Sequence, residues 1–446
     1  MDPISIGVMA FIAVLVLLGL RVPIAFALAS VASLATFILF AFRTGSFMPE
    51  RAIKATSSLV FNSSFDLIHS YDLSMIPLFV ALGHISYRAE ITTRIYHAAR
   101  VWLTQVPGGV AMASIIGCGG FSAITGSSIA CASTMGRICT PEMLRMGYDP
   151  RLATASVAAG GTLGSLIPPS VLFIIYGIFT ETSISKLFLA GIIPGLLTLM
   201  GFLLVIFFWV RKDPTLVQGT QLELSLSQKL QSAAQAWPAL LIFTIIIGGI
   251  YGGIFTPTEA AAISVALAIS VGLVQRKLTA LSLWDSFKET CIQTSAIFFI
   301  AAGAKIFVSF VALTGIAPVL VETVSGADMS LWIFMLGIAL IYLALGMFLD
   351  PIGIMVLTLP FILPLVDNYS LDLIWFGVVV IKLLEIGLIT PPVGLNVFVI
   401  KNVVGNNISI GQIYAGILRF LSLDLIILAI IISFPILSLL LPGTMR

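Results

Sequence analysis

Residues 117–134, GCGGFSAITGSSIACAST, contain fifteen Gly, Ala, Ser, Thr or Cys among eighteen positions. Hydroxyl oxygens cluster at Thr125-Gly126-Ser127-Ser128, with Ser122 one helical turn earlier. Oxygen donors of this type suit a small hard cation or the oxygens of an anion. Two structural readings compete. Small residues let helix backbones approach, so the run fits a tight packing face. It also fits a re-entrant hairpin whose tip lies near the TGSS run. Non-helical backbone at membrane depth persists only where it faces protein or a wet site. The hairpin is the expectation carried forward.

Two interruptions, Gly164–Pro169 and Gly387–Pro392, each carry a proline pair. Proline removes an N–H and clashes with the carbonyl four residues earlier. One proline suffices for a kink, whereas two in a row free several carbonyls. Carbonyls at such a break, facing a hydroxyl-rich tip, would hold sodium. The half-helix beyond the break turns its positive end toward an anion. The expected sodium ligands are Ser122, Thr125, Gly126, Ser127, Gly164 and Pro168 at one site. Gly346, Phe348, Asp350, Gly387, Thr390 and Pro391 would form the second, where GMFLDP is the hairpin tip. Ser128, Ser170 and Asn396 are the expected contacts to a small organic anion. Asp350 precedes Pro351, so it is either a helix N-cap, an ion ligand or both.

Other titratable groups bring little chemistry. Lys382 and Glu385 stand three apart on one helix and are expected to satisfy each other. Lys401 is expected to snorkel to the interface. Lys305 is a minor candidate for a cation facing substrate, and His69, His84 and His97 read as interfacial. No chain of intramembrane Asp, Glu and His suggests a proton relay. Cys118, Cys131, Cys139 and Cys291 fit neither CxxC nor a zinc spacing and are expected as free thiols. No cofactor is expected apart from sodium as a coupling ion.

The elements that must position these residues follow from composition. The chain has 446 residues, 59% hydrophobic and 9% charged, against roughly 25% charged in soluble domains. So few charges cannot cover a soluble fold of this size. The net charge of +2 gives no case for binding nucleic acid. Apolar runs of membrane-spanning length cover much of the chain, beginning at 4–20 and 23–42. Asp2 precedes the first of them, which therefore reads as a retained helix and not as a cleaved signal peptide. Residues 88–106 are amphipathic and read as an interfacial helix, and 211–235 as a soluble linker. Arg88, Arg94, Arg100, Arg137, Arg145 and Arg151 flank the first broken region, which would face the cytoplasm. Glu322, Asp328, Asp367 and Asp372 flank the second, and no Lys or Arg occurs from Ile306 to Ile381. Arg43, Arg51 and Lys54 run against this orientation.

The halves match at a nearly constant offset. GTLGSLIPPS at 161–170 lies over LEIGLITPPV at 384–393, 223 residues later. The same offset joins Pro141 to Pro364 and Asp149 to Asp372. Paired interruptions with opposite charge bias indicate an inverted-topology repeat, which in secondary transporters places a site at the midplane between discontinuous helices. The expected fold is an all-α polytopic membrane protein with two re-entrant helical hairpins and two broken helices. Residues 1–70 would supply N-terminal scaffold helices and an arm, and 71–210 the first repeat. Residues 211–290 would form a cytoplasmic linker with further scaffold helices, and 291–442 the second repeat. The hairpins would span about 108–140 and 331–365, and the broken helices 152–180 and 373–400.

The run GFSAITGSSIACASTMGRICTPEMLRMGYDP, followed by GGTLGSLIPPS and KLFLAGIIPG, resembles the large membrane subunit of TRAP transporters, the DctM family. YDLSMIPLFVALGHI and GLITPPVGLNVFVIKNV fit the same family, so the resemblance covers nearly the whole chain. It implies a tripartite, sodium-coupled uptake system for organic acids in a bacterial or archaeal cytoplasmic membrane. The implied partners are a soluble periplasmic binding protein and a small four-helix membrane subunit, expected here as a separate polypeptide. It further implies an elevator, with hairpins and broken helices sliding against a scaffold in the lipid bilayer. The alternative is a solitary sodium/dicarboxylate-type symporter that works without a binding protein. An intramembrane enzyme would need a Ser–His, Ser–Lys, paired Asp or HExxH constellation, and none stands out. A passive channel fits poorly with hairpins entering from both sides. Carboxylate, sulfonate and sugar-acid substrates fit equally well.

Overall fold

The computed structural model describes residues 2–42, 47–217, 225–327 and 329–445. Arg43 and Asp328, both used above in assigning sidedness, lie outside the described residues. The described chain is helical, with one isolated bridge between Tyr148 and Val217. In chain order the helices open with α1 (Pro3–Gly19), α2 (Ile24–Ala41), α3 (Pro49–Ile68), α4 (Met75–Arg88) and α5 (Ile91–Leu103). There follow α6 (Gly109–Thr125), α7 (Ser128–Arg145), α8 (Pro150–Gly161), α9 (Val171–Thr180) and α10 (Ile184–Lys212). Next come α11 (Leu226–Gln235), α12 (Trp237–Phe243), a π-helical turn, the single turn α13 (Gly249–Tyr251), α14 (Pro257–Val274) and α15 (Ala280–Thr314). The chain closes with α16 (Ile316–Gly326), α17 (Leu331–Gly346), α18 (Pro351–Asn368), α19 (Leu373–Gly387), α20 (Leu395–Val404), α21 (Ile410–Ser433) and α22 (Ile436–Thr444). Six described helices (α2, α10, α14, α15, α18 and α21) are each long and apolar enough to cross a bilayer. The chain is a multi-pass, all-α membrane protein.

Local chemistry explains where these helices start. Asp2 caps α1 ahead of Pro3, and Thr256 with Glu259 forms a capping box ahead of α14. Ser409 and Gln412 do the same for α21. Both expected hairpins fall on helix pairs, α6–α7 and α17–α18. Both broken helices are also present as pairs, α8–α9 and α19–α20. The polar 43–70 stretch carries α3, and the linker carries α11, with 218–224 outside the described residues.

The chain divides into two compact units. The first comprises residues 1–74, 292–338 and 352–373. Here Ser63 and Ser309 hydroxyls meet at 3.0 Å, and the Phe11 and Phe361 rings meet edge to face at 5.1 Å. Gly303 touches the α2 backbone so closely that a Cβ would stand 2.5 Å from the Ala25 carbonyl oxygen. The second unit comprises 75–291, 339–351 and 374–446. It contains the first hairpin, the first broken helix, the second broken helix and the residues around Gly346–Asp350. Helices α12 to α14, assigned to a scaffold from sequence, belong to this same unit, with α14 packed along α4. Its core gathers α6, α7, α8 and α21 around Met135, Leu152, Phe202 and Phe420.

Candidate functional site

The first hairpin turns at Gly126 and Ser127. Gly126 closes α6 with φ +61°, its N–H donating to the Ser122 carbonyl at 2.9 Å. A Cβ there would also lie 2.5 Å from the Pro169 carbonyl oxygen. Both the left-handed backbone and the close approach therefore require glycine. Ser127 is the N-cap of α7, its hydroxyl accepting from Ala130 N–H at 3.4 Å.

The first break packs directly on this tip. The α8 helix gives way to a 3-10 turn over Thr162–Ser165, and α9 restarts after Ser170, which caps it by accepting from Phe173 N–H at 3.3 Å. The Pro168–Pro169 and Pro391–Pro392 peptide bonds are both cis. Val171 N–H donates to the Gly126 carbonyl at 3.3 Å. Gly164 touches the start of α7, where a Cβ would be 2.5 Å from Ser128 N. The structure thus brings Thr125, Gly126, Ser127 and Ser128 together with Gly164 and Ser170. Ser122 and Thr125 hydroxyls donate to the Cys118 and Phe121 carbonyls at 2.6 and 3.1 Å. Their protons are used, and their lone pairs are the part left for a cation. Asn396 reaches the same region from the second broken helix, its Nδ2 donating to the Ala158 carbonyl at 3.3 Å. Among the described residues, its buried Oδ1 has no hydrogen-bond donor.

A residue absent from the expected set completes this centre. Glu385, fully buried on α19, receives the Ser128 hydroxyl at 2.6 and 2.7 Å from its two oxygens. Ser165 Oγ lies 3.0 Å from Ser128 Oγ. Ser128 opens α7, so the carboxylate faces a helix N-terminus, where partial positive charge favours an anion. The expectation that Lys382 and Glu385 satisfy each other is corrected. Lys382 Nζ donates to Asp424 Oδ1 at 2.5 Å and to Thr198 Oγ1 at 3.1 Å. The i, i+3 spacing offers Lys382 only Glu385, because the competing Asp424 lies 42 residues away on α21. An ion pair this deeply buried needs close geometry to offset its lost hydration. With both carboxylates ionised, Lys382, Asp424 and Glu385 carry one net negative charge. The signal available in sequence was that Glu385 is the only acidic residue between Asp372 and Asp424.

The second break has a different character. Gly346 and Gly387 meet backbone to backbone, each lacking the Cβ that would stand 2.9 or 2.8 Å from the other's Cα. Thr390 Oγ1 donates to the Ile386 carbonyl at 2.7 Å. Tyr414 Oη lies 2.8 and 2.6 Å from the Pro392 and Val393 carbonyl oxygens, between which its one proton is shared. Phe348 is 61% exposed, and Asp350 immediately precedes α18. Gly346, Gly387 and Thr390 are thus brought to one place.

Polar clasps join helix ends. Arg100 and Tyr96 on the amphipathic α5 both bind Glu142 of α7, Tyr96 Oη donating to Glu142 Oε2 at 2.6 Å. Burial pushes the Tyr96 hydroxyl well above the usual tyrosine range, so it remains a donor. Asp149 caps α8 and pairs with Arg151 at 2.9 Å. Burial opposes its ionisation, but the Arg151 side chain and N–H hold its carboxyl below the usual range.

Residues 11–437 match the family described as tripartite ATP-independent periplasmic transporter, DctM component. The C4-dicarboxylate TRAP transporter large permease protein DctM of Pseudomonas aeruginosa is 34% identical over 384 residues, covering 85% of this chain and 88% of its own. The sialic acid large permease SiaM of Vibrio cholerae is 33% identical, covering 84% of this chain and 87% of its own. The isethionate permease DctMQ of Oleidesulfovibrio alaskensis is 32% identical over 83% of this chain, which spans 58% of that protein. The crystal structure of the YdaH transporter from Alcanivorax borkumensis shares the fold, with a TM-score of 0.62, 12% identity and 98% coverage of both chains.

Proposed function

The chain belongs to the DctM family of tripartite ATP-independent periplasmic transporters, and from that premise we propose that it imports a small organic anion in exchange for the energy of a sodium gradient. A periplasmic binding protein delivers the anion, and a small membrane subunit completes the complex. The substrates named for the relatives are C4-dicarboxylates, sialic acid and isethionate, whose common property is negative charge.

The observation that carries the proposal is Glu385. When ionised, a buried carboxylate beside the first hairpin tip repels an incoming anion unless cations enter with it. The donor set suits sodium. Ser122, Thr125, Gly126, Ser127, Gly164 and Pro168 supply hydroxyl and carbonyl oxygens near that charge. Gly346, Phe348, Asp350, Gly387, Thr390 and Pro391 supply the second set. Ser170 and Asn396 contact the anion, and Ser128 links it to Glu385. Cations that neutralise the centre let the hairpins and broken helices cross as a closed carrier, in an elevator motion.

The test is reconstitution with a sodium gradient, with each partner omitted in turn. Uptake that needs sodium, the small subunit and the binding protein is the expected result. Equal uptake by this chain without a binding protein would establish the solitary symporter instead.

A further inference from the structure

We propose that the groove between α10 and α21 holds one anionic glycerophospholipid of the cytoplasmic leaflet. The groove encloses about 800 Å³ and includes Leu204, Phe208, Trp209, Lys212, Arg419 and Leu423 in its lining. Its floor is where Gly201 meets Leu423, at a point where a Cβ on the glycine would be 2.7 Å from Leu423 Cδ2. The walls above are apolar and open, with Leu204 52% and Phe208 61% exposed.

The charges lie at one end only. Arg419 holds its guanidinium 4.1 Å from the Trp209 ring centroid, and its Nη1 donates to the Ala415 carbonyl at 3.1 Å. Lys212 closes the last turn of α10 beside it. Among the described residues, neither Lys212 nor Arg419 forms an ion pair. Asp213 also lines this end and accepts from the neutral Thr215, while Asp149 pairs with Arg151. Two cations against one lining carboxylate leave this end net positive, and with the indole they cap an apolar channel, an arrangement complementary to a phosphate headgroup with its acyl chains below.

The length selects the occupant. From Gly201 to Lys212 the helix rises ~16 Å, close to half of the ~30 Å hydrocarbon core and so the depth of one leaflet. Arg211 and Lys212 mark this end as cytoplasmic by the positive-inside rule, the leaflet in which anionic headgroups are recognised by basic pockets between helices. A protein partner would match the apolar walls but leave both cations unanswered.

The test uses the full chain with its small subunit, purified and stripped of lipid. Phosphatidylglycerol and phosphatidylcholine of identical chains are titrated, and binding is followed by native mass spectrometry. Selective retention of phosphatidylglycerol is expected, with affinity falling about fivefold for Lys212→Gln and again for Arg419→Gln. Leu204→Trp, which fills the groove and leaves both cations in place, should also lose the lipid. It decides the matter if Arg419→Gln fails to fold. Equal binding of the two lipids, or unchanged affinity in the variants, would overturn the site. So would equal binding of glycerol phosphate without chains, since that is a phosphate site alone. Protection of a Leu204→Cys thiol by the small subunit, independent of lipid, would reassign the groove to a protein interface.

Discussion

At the first hairpin the tip meets its break through side chains, and at the second through bare backbone. Ser128, Ser165 and buried Glu385 form a connected polar group where Gly126 and Gly164 touch the opposing chain. At the second centre Gly346 rests on Gly387, and the break carbonyls are taken up by Tyr414. Repetition has kept the backbone device, a glycine contact beside a proline pair, and varied the chemistry laid over it. If coupling ions occupy both centres, the first owes its attraction to fixed charge and hydroxyls. The second relies on carbonyl dipoles and Asp350.

The sharpest way to break this contrast is to remove the charge. Glu385→Gln keeps the volume and still accepts from Ser128, so folding should survive. The sodium concentration for half-maximal uptake should rise at least ~10-fold, about 1.4 kcal/mol of lost attraction. Asp350→Asn should raise it less. Uptake in proteoliposomes over a sodium series measures both, and equal shifts would show the two centres to be electrostatically alike.

A smaller effect separates the hydroxyls. Thr125→Val removes one oxygen of the first tip while keeping the methyl group that packs on Gly83. A lost polar contact worth about 1 kcal/mol corresponds to a roughly fivefold rise in the sodium requirement. Thr390→Val, at the second break, should change it less than ~2-fold. The reverse ranking, measured in the same assay, would place the dominant ion at the second break.

Sequence made the architecture legible because its signals are local. Proline pairs mark the breaks, glycine and hydroxyls mark the first tip, and a constant offset ties the halves together. The first tip could be read in the same way, since Thr125 to Ser128 are contiguous. Glu385 was misread because its partner choice depends on packing. Local spacing favoured Lys382, and only the approach of α21 brings Asp424 to that lysine. The approach of α7 likewise brings Ser128 to the carboxylate, across 257 residues of sequence. Asn396 was singled out for standing past a break, whereas its orphaned amide oxygen is visible only once its neighbours are placed.

The smallest difference between the repeats lies at a helix start. Asp149 opens α8 with Pro150 and Arg151 behind it, while Asp372 at the matching place is followed by Leu373 and Ile374. Asp149 therefore has a guanidinium that the position after Asp372 cannot supply. Asp149→Ala should cost about 1 kcal/mol as a lost cap, and Asp149→Asn only a few tenths, because Asn still caps. The ion pair is partly exposed, which keeps its own share small. Its pH dependence has a definite sign. A carboxyl held below its ordinary value contributes stability above the unfolded-state pKa of ~3.9 and loses it as pH falls through the lower folded value. Thermal unfolding of the detergent-solubilised protein between pH 7 and 3 should show the parent losing its advantage over Asp149→Asn only below about pH 4. A parent and an Asp149→Asn variant that run parallel throughout would mean that the Arg151 contact adds nothing, and that the two helix starts differ in sequence alone.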